Sequence, residues 1–195
     1  MTDAPFGFQA IRNLHGGQPR ARVYRVTATG NQTGIAVGDP VELNGAGLGI
    51  ARLSAGSIAT RRCLGVISDL YNDSGRPLTF TQPTNGPFLP AAVAGWATVY
   101  DSQATTFMVQ CDASAAETMV GKYVSLTGNA INTAAGTSQM MVKVASADTS
   151  IKAFQVIGIS PTERQGLGSY ALASAWGNAG IDVEVRIALH AFTSS

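Results

Sequence analysis

Hydrophobic positions along the chain recur in short alternating or β-branched runs, each bounded by Gly, Pro, Asn or Asp. That pattern predicts strands over 22–27, 40–43, 64–69, 93–100, 106–110, 123–127, 139–144, 154–160 and 181–191, with little helical spacing anywhere. The last run has the cleanest period of two. Ile181, Val183, Val185, Ile187 and Leu189 fall on one side and Asp182, Glu184 and Arg186 on the other, as in a strand with one face on a core and one in water. Asn44-Gly45, Asn85-Gly86 and the tip Asp73-Ser74-Gly75 supply the reversals.

A weak internal repeat organises these runs. Tyr24-Arg25-Val26 leads to Val37-Gly38-Asp39-Pro40-Val41-Glu42-Leu43-Asn44-Gly45, and Phe107-Met108-Val109 leads to Val120-Gly121-Lys122-Tyr123-Val124-Ser125-Leu126-Thr127-Gly128, at a constant offset of 83 residues. Leu64-Gly65-Val66-Ile67-Ser68 and Ile157-Gly158-Ile159-Ser160 match at a larger offset, as loops of different length would produce. The expected fold is mainly β: two small pseudo-repeated β-barrel or β-sandwich lobes, 21–100 and 101–195, with long loops and an extended N-terminal arm, 1–20. In the arm, Gly7, Gly16, Gly17 and Pro5 interrupt the apolar Phe6, Phe8, Ile11 and Leu14, so it lies either on a neighbour or as a first strand on its own lobe. The stretch 161–180 reads as a covered loop, because Leu167, Tyr170, Leu172 and Trp176 would otherwise form an exposed apolar patch. Tyr170 and Trp176 are therefore candidates for an oligomer or partner interface.

Composition narrows the function classes. The 195 residues carry 13 basic and 12 acidic side chains, a net charge of +1, and only 13% charged residues, so no global field draws in nucleic acid or an anionic membrane. The charge-free stretch 77–100 contains Pro77, Pro83, Pro87 and Pro90, which exclude a membrane helix there. The start, Met1-Thr2-Asp3-Ala4-Pro5, lacks the basic-then-apolar pattern of a secretory signal, and assembly in a cytoplasm is expected. Cys63 and Cys111 are too few for a disulfide framework and too isolated for a zinc site; buried reduced thiols are the expectation.

Chemistry is thinly represented. His15 and His190 lie in no ligand or base motif, and no Gly-x-Ser-x-Gly elbow occurs. Gly45-Ala46-Gly47-Leu48-Gly49 lacks the Gly-Lys-Ser/Thr ending of a phosphate loop and reads as a hairpin tip. The pairs Asp69/Asp73 and Asp182/Glu184 sit where solvated charges are ordinary. No catalytic residue, cofactor or metal ligand is assigned. Arg12, Arg20, Arg22 and Arg25 are unopposed by any acid between Asp3 and Asp39, with Arg61-Arg62 following, which gives the first lobe a basic side suited to an acidic protein surface or simply to solvent.

The phrase Phe6-Gly7-Phe8-Gln9-Ala10-Ile11-Arg12-Asn13-Leu14-His15-Gly16-Gly17, then Tyr24-Arg25-Val26, Val37-Gly38-Asp39-Pro40-Val41 and Leu64-Gly65-Val66-Ile67, resembles the opening of head decoration (cement) proteins of tailed bacteriophages. The resemblance covers the first 70 residues well and the remainder loosely. It implies a small β-barrel and a virion protein on the outer capsid surface, often a homotrimer at three-fold junctions, that binds the major capsid protein and stabilises the expanded head. A near-neutral chain suits dense packing of many copies. On this reading Phe6 and Phe8 fill capsid pockets, the arm adds a strand to a neighbouring sheet, and Arg12, Arg20, Arg22 and Arg25 face the capsid. Two other classes compete: a virion-surface module binding carbohydrate or a host surface, with Trp96, Tyr100 and Trp176 as stacking platforms, and a trimeric β-fold hydrolase, which needs His15 or His190 beside a carboxylate or Ser.

Overall fold

The computed structural model describes residues 5–44, 49–53, 61–79, 87–128, 130–159, 176–177 and 180–192. The protein is mainly β. In chain order the strands are β1 (Gln9–Asn13), β2 (Ala21–Val26), β3 (Ile35–Ala36), β4 (Pro40–Leu43), β5 (Ile50–Arg52), β6 (Gly65–Asn72), β7 (Phe88–Leu89) and β8 (Gly95–Tyr100). They continue as β9 (Thr105–Gln110), β10 (Tyr123–Thr127), β11 (Ile131–Asn132), β12 (Thr137–Ser138), β13 (Met141–Asp148), β14 (Phe154–Ile159) and β15 (Asp182–Ile187). A 3-10 turn, Glu117–Met119, precedes β10.

The first lobe is a closed five-stranded barrel, β2-β5-β4-β6-β8, in which every pairing is antiparallel except the closure, a parallel contact of Val26 with Ile50. Alternation fills it. Val26, Val41, Ile50, Ile67, Ala97 and Val99 point inward and are almost wholly buried. Closing the sheet removes most of its edge, which a barrel this small needs in place of a covering layer.

The second lobe is a six-stranded sheet, β1-β9-β15-β14-β10-β13, again antiparallel throughout. Leaving β1 aside, its strands run β9, β15, β14, β10, β13; the barrel read from β2 runs β2, β8, β6, β4, β5. The ends of the larger sheet meet in a single parallel bridge, Cys111 with Val142, where the barrel has Val26 with Ile50. Tyr24 and Phe107 stand on β2 and β9, Val41 and Val124 on β4 and β10, and Gly65 and Gly158 on β6 and β14.

Residues 9–13 are not a free arm. β1 pairs with β9 of the second lobe, and Phe8 just before it is 2% exposed, packed on Phe154 with ring centroids 4.8 Å apart and edge-on to Phe107 at 6.4 Å. The first-lobe residues Leu53, Cys63 and Val66 join the same core, so the two lobes share an apolar layer. Lone buried thiols at Cys63 and Cys111 follow from this packing, and desolvation pushes both up to about 12.

The polar side of β15 departs from expectation. Asp182 is 8% and Glu184 3% exposed, and only Arg186 of the three is open to solvent. A buried carboxylate needs a partner, and Glu184 has a two-pronged one: Arg12 Nε and Nη2 each donate to it at 2.8 Å from β1, across β9.

Candidate functional site

The turn Gly38-Asp39-Pro40, between β3 and β4, is where the chain's separate phrases converge. Gly38 has φ +83°, and a Cβ there would lie 3.1 Å from the carbonyl oxygens of both Phe6 and Phe8. Its carbonyl accepts from the Phe8 N–H at 3.0 Å, and its own N–H donates to the Ile67 carbonyl at 3.0 Å. Leu64 N–H donates to the Val41 carbonyl at 2.7 Å. The N-terminal segment, the Gly-Asp-Pro-Val element and the start of β6 are thus laced together by backbone hydrogen bonds.

Asp39 is completely buried and closes the turn by accepting the Ala36 N–H at 2.8 Å. Arg52 of β5, 7% exposed, brings Nε to 2.9 Å from Asp39 Oδ1. Arg52 Nη2 donates to the Ala130 carbonyl at 3.3 Å, and Ser138 hydrogen-bonds the Asp39 carboxylate, so both partners reach the second lobe. Backbone contacts continue the seam: Ser138 N–H donates to the Val37 carbonyl at 2.8 Å. Desolvation raises the Asp39 carboxyl above the usual carboxylate range, with Arg52 first among the groups opposing it. The arrangement holds two lobes in register. A Gly before an Asp-Pro pair and a charged residue inside the apolar run Ile50-Ala51-Arg52-Leu53 are the sequence signals of this pair, which charge counting alone passes over.

The arginines expected to face a partner are mostly engaged within the chain. Arg12 holds Glu184, Arg25 pairs with Asp73 and lies 4.8 Å over the Trp96 ring, and Arg22 Nε is 3.5 Å from Asp101. Arg61 pairs with Glu42. The acids absent from the local sequence arrive from distant strands, so the basic side is largely neutralised. Arg20 alone of the four N-terminal candidates is exposed with no ion pair among the described residues. Phe8, buried in its own core, has no side chain to offer a capsid pocket; Phe6 is half-buried. Tyr170 lies outside the described residues. Trp176 and Tyr100 are partly buried against the second core, and Trp96 has one ring face under Arg25 with Nε1 donating to the Asp73 carbonyl at 3.4 Å.

The two histidines come together despite their separation in sequence. His15 and His190 line one open hollow of about 350 Å³ with Ser102, Gln103 and Phe192. His190 is 3% exposed: the Phe192 N–H donates to Nδ1 at 3.2 Å, which leaves Nε2 as the protonated nitrogen, 2.8 Å from the Asp101 carbonyl. Its ring is fixed to backbone. Asp101 also lines the hollow, and its carboxylate accepts from Tyr24 Oη at 2.6 Å. Among the described residues no group of three His, Cys, Asp or Glu side chains converges as a metal site. Comparison with protein-family models, with curated proteins and with solved structures finds no match to this chain.

Proposed function

We propose that the chain is a structural protein of a tailed-phage virion, binding the outer capsid surface as a homotrimer and bridging major capsid protein subunits of the expanded head. One observation carries the reading. The phrases on which the resemblance rests, around Phe6–Phe8, Gly38–Val41 and Leu64–Ile67, meet at one hydrogen-bonded turn, as expected if they were kept together to build a small barrel with its entering strand. Pairwise neutralisation of the surface arginines also suits a protein packed in many copies, because close neighbours then repel little.

Avidity does the rest on this reading. A trimer engaging several capsomers converts later contacts into intramolecular ones, so modest individual contacts suffice. Since Phe8 belongs to the core, removing residues 1–14 would unfold the second lobe and report nothing about capsid contact. The informative experiment is the native mass of the purified chain, then co-sedimentation with expanded and unexpanded tailed-phage heads. Stoichiometric binding to expanded heads alone is expected. A monomer that binds neither head would overturn the proposal.

A further inference from the structure

We propose that the outer edge of β2 is an acceptor for an extended, carboxylate-bearing segment of a partner protein. The two lobes carry the same strand order but differ at one place. In the second lobe, β9 is closed by the Cys111–Val142 bridge, and the stretch of β9 before it, 105–108, is covered by β1. In the first lobe, β2 is closed by Val26–Ile50, with Gly49 against the Arg25 carbonyl, and the stretch before that, 21–24, pairs only with β8 among the described residues. Among the described residues, no strand pairs with the first lobe at the place where the second lobe carries β1.

That edge is accessible. Val23 is 63% exposed and the Arg22 side chain 73%. A strand laid along β2 would gain backbone hydrogen bonds, the same interaction by which β1 is held on β9. Charge selects the occupant. Arg20 lacks an ion pair among the described residues, and Arg22, 73% exposed, lies beside the Tyr24 hydroxyl and 3.5 Å from an Asp101 oxygen that already accepts Tyr24 Oη. Carboxylates spaced along an incoming strand would meet both guanidiniums. A second copy pairing β2 on β2 would set Arg20 and Arg22 against their own counterparts, which disfavours self-association through this edge.

The simpler alternative is that the arginines only guard the edge against aggregation. Guarding predicts that no strand binds, whereas the acceptor proposal predicts selective binding, and neither depends on the virion reading. The experiment titrates the isolated, isotope-labelled chain with a capped hexapeptide alternating valine and glutamate, and separately with its valine–lysine counterpart. Amide shifts centred on β2 are expected with the glutamate peptide alone. In the double variant Arg20→Glu/Arg22→Glu, both positions being exposed, binding should weaken by about tenfold or more because like charges then oppose. The proposal is overturned if the glutamate peptide leaves β2 unshifted at about 5 mM, or if the two peptides bind equally. It is also overturned if β2 is already protected in a concentration-dependent self-assembly.

Discussion

Replacing Arg52 by Met removes one half of the buried pair while keeping most of the side-chain volume. Asp39 would remain wholly buried with the Ala36 N–H and Ser138 as its hydrogen-bond partners but no cation. Breaking a buried pair on one side costs about 3–5 kcal/mol. The two remaining hydrogen bonds place this case toward the lower end, and loss of the 3.3 Å contact with Ala130 adds roughly 0.5 kcal/mol. The carboxyl has an escape: it takes a proton. Burial already raises it, and Arg52 is the chief opposing influence, so the variant's folded-state value rises further. A raised folded value means the native state binds more protons, and stability grows as pH falls through that value. The deficit of Arg52→Met should therefore shrink, by up to about 1.4 kcal/mol per pH unit, as pH falls through the raised folded value toward the ordinary carboxylate range. Urea unfolding followed by circular dichroism across that range reads it. The double variant Asp39→Asn/Arg52→Met should recover a large part of the loss. An Arg52→Met deficit within about 1 kcal/mol of zero, or one that grows on acidification, would refute the account of this pair.

Three further outcomes follow from the packing. Phe8→Ala should destabilise by about 3–5 kcal/mol, as for other buried aromatics, and should speed amide exchange along β1 and β9; a loss under about 1 kcal/mol would mean the ring is not part of the core. Gly7 has φ +75°, and a Cβ there would lie 2.6 Å from the Ser138 Cβ, so Gly7→Ala combines left-handed strain with overlap against the second lobe. A cost of roughly 2–4 kcal/mol is expected, and near-wild-type unfolding would show the seam to be loose. Tyr24 is pushed up to about 12, by desolvation first and then by its hydrogen bond to Asp101. Its folded value lies above the free value near 10, so its contribution is complete below pH 10 and is lost as pH rises through 12. Ultraviolet titration of wild type against Tyr24→Phe would isolate it, and ionisation near pH 10 would contradict the buried contact.

Much of the fold was legible because its strands obey the period of two. All nine runs overlap β2, β4, β6, β8, β9, β10, β13, β14 and β15, though the last run to 191 overshoots β15, which ends at Ile187, and the run 139–144 stops four residues short of the end of β13. The misses have local causes. β1 has a bulge between Ala10 and Arg12, which flips the alternation halfway along and makes the segment read as an irregular arm. β5 is three residues long with Arg52 at its end, and the two-residue ladders β3, β7, β11 and β12 are too short to carry a pattern. On β15 the period is intact but its meaning differs: the polar side is buried, with Glu184 matched by Arg12 from 172 residues away. Periodicity tells which residues share a face. It does not tell what covers that face.

The same distinction governs the functional residues. A run of arginines with no nearby acid looks like a basic surface only if charges pair locally, and these arginines take their partners from elements distant in sequence. Glu184, Asp101 and Asp73 reach Arg12, Arg22 and Arg25 through pairings of β9 with β1 and β15, and of β8 with β2 and β6. What survives this cancellation among the described residues is small and specific, namely Arg20, an exposed Arg22 that shares an Asp101 oxygen with Tyr24, and the β2 edge beside them. On the proposed reading, a partner would be recognised at short range, through backbone pairing and a few charges at one edge. Such contacts are individually weak and gain strength when many copies act together, which is the multiplicity that the proposed capsid lattice would supply.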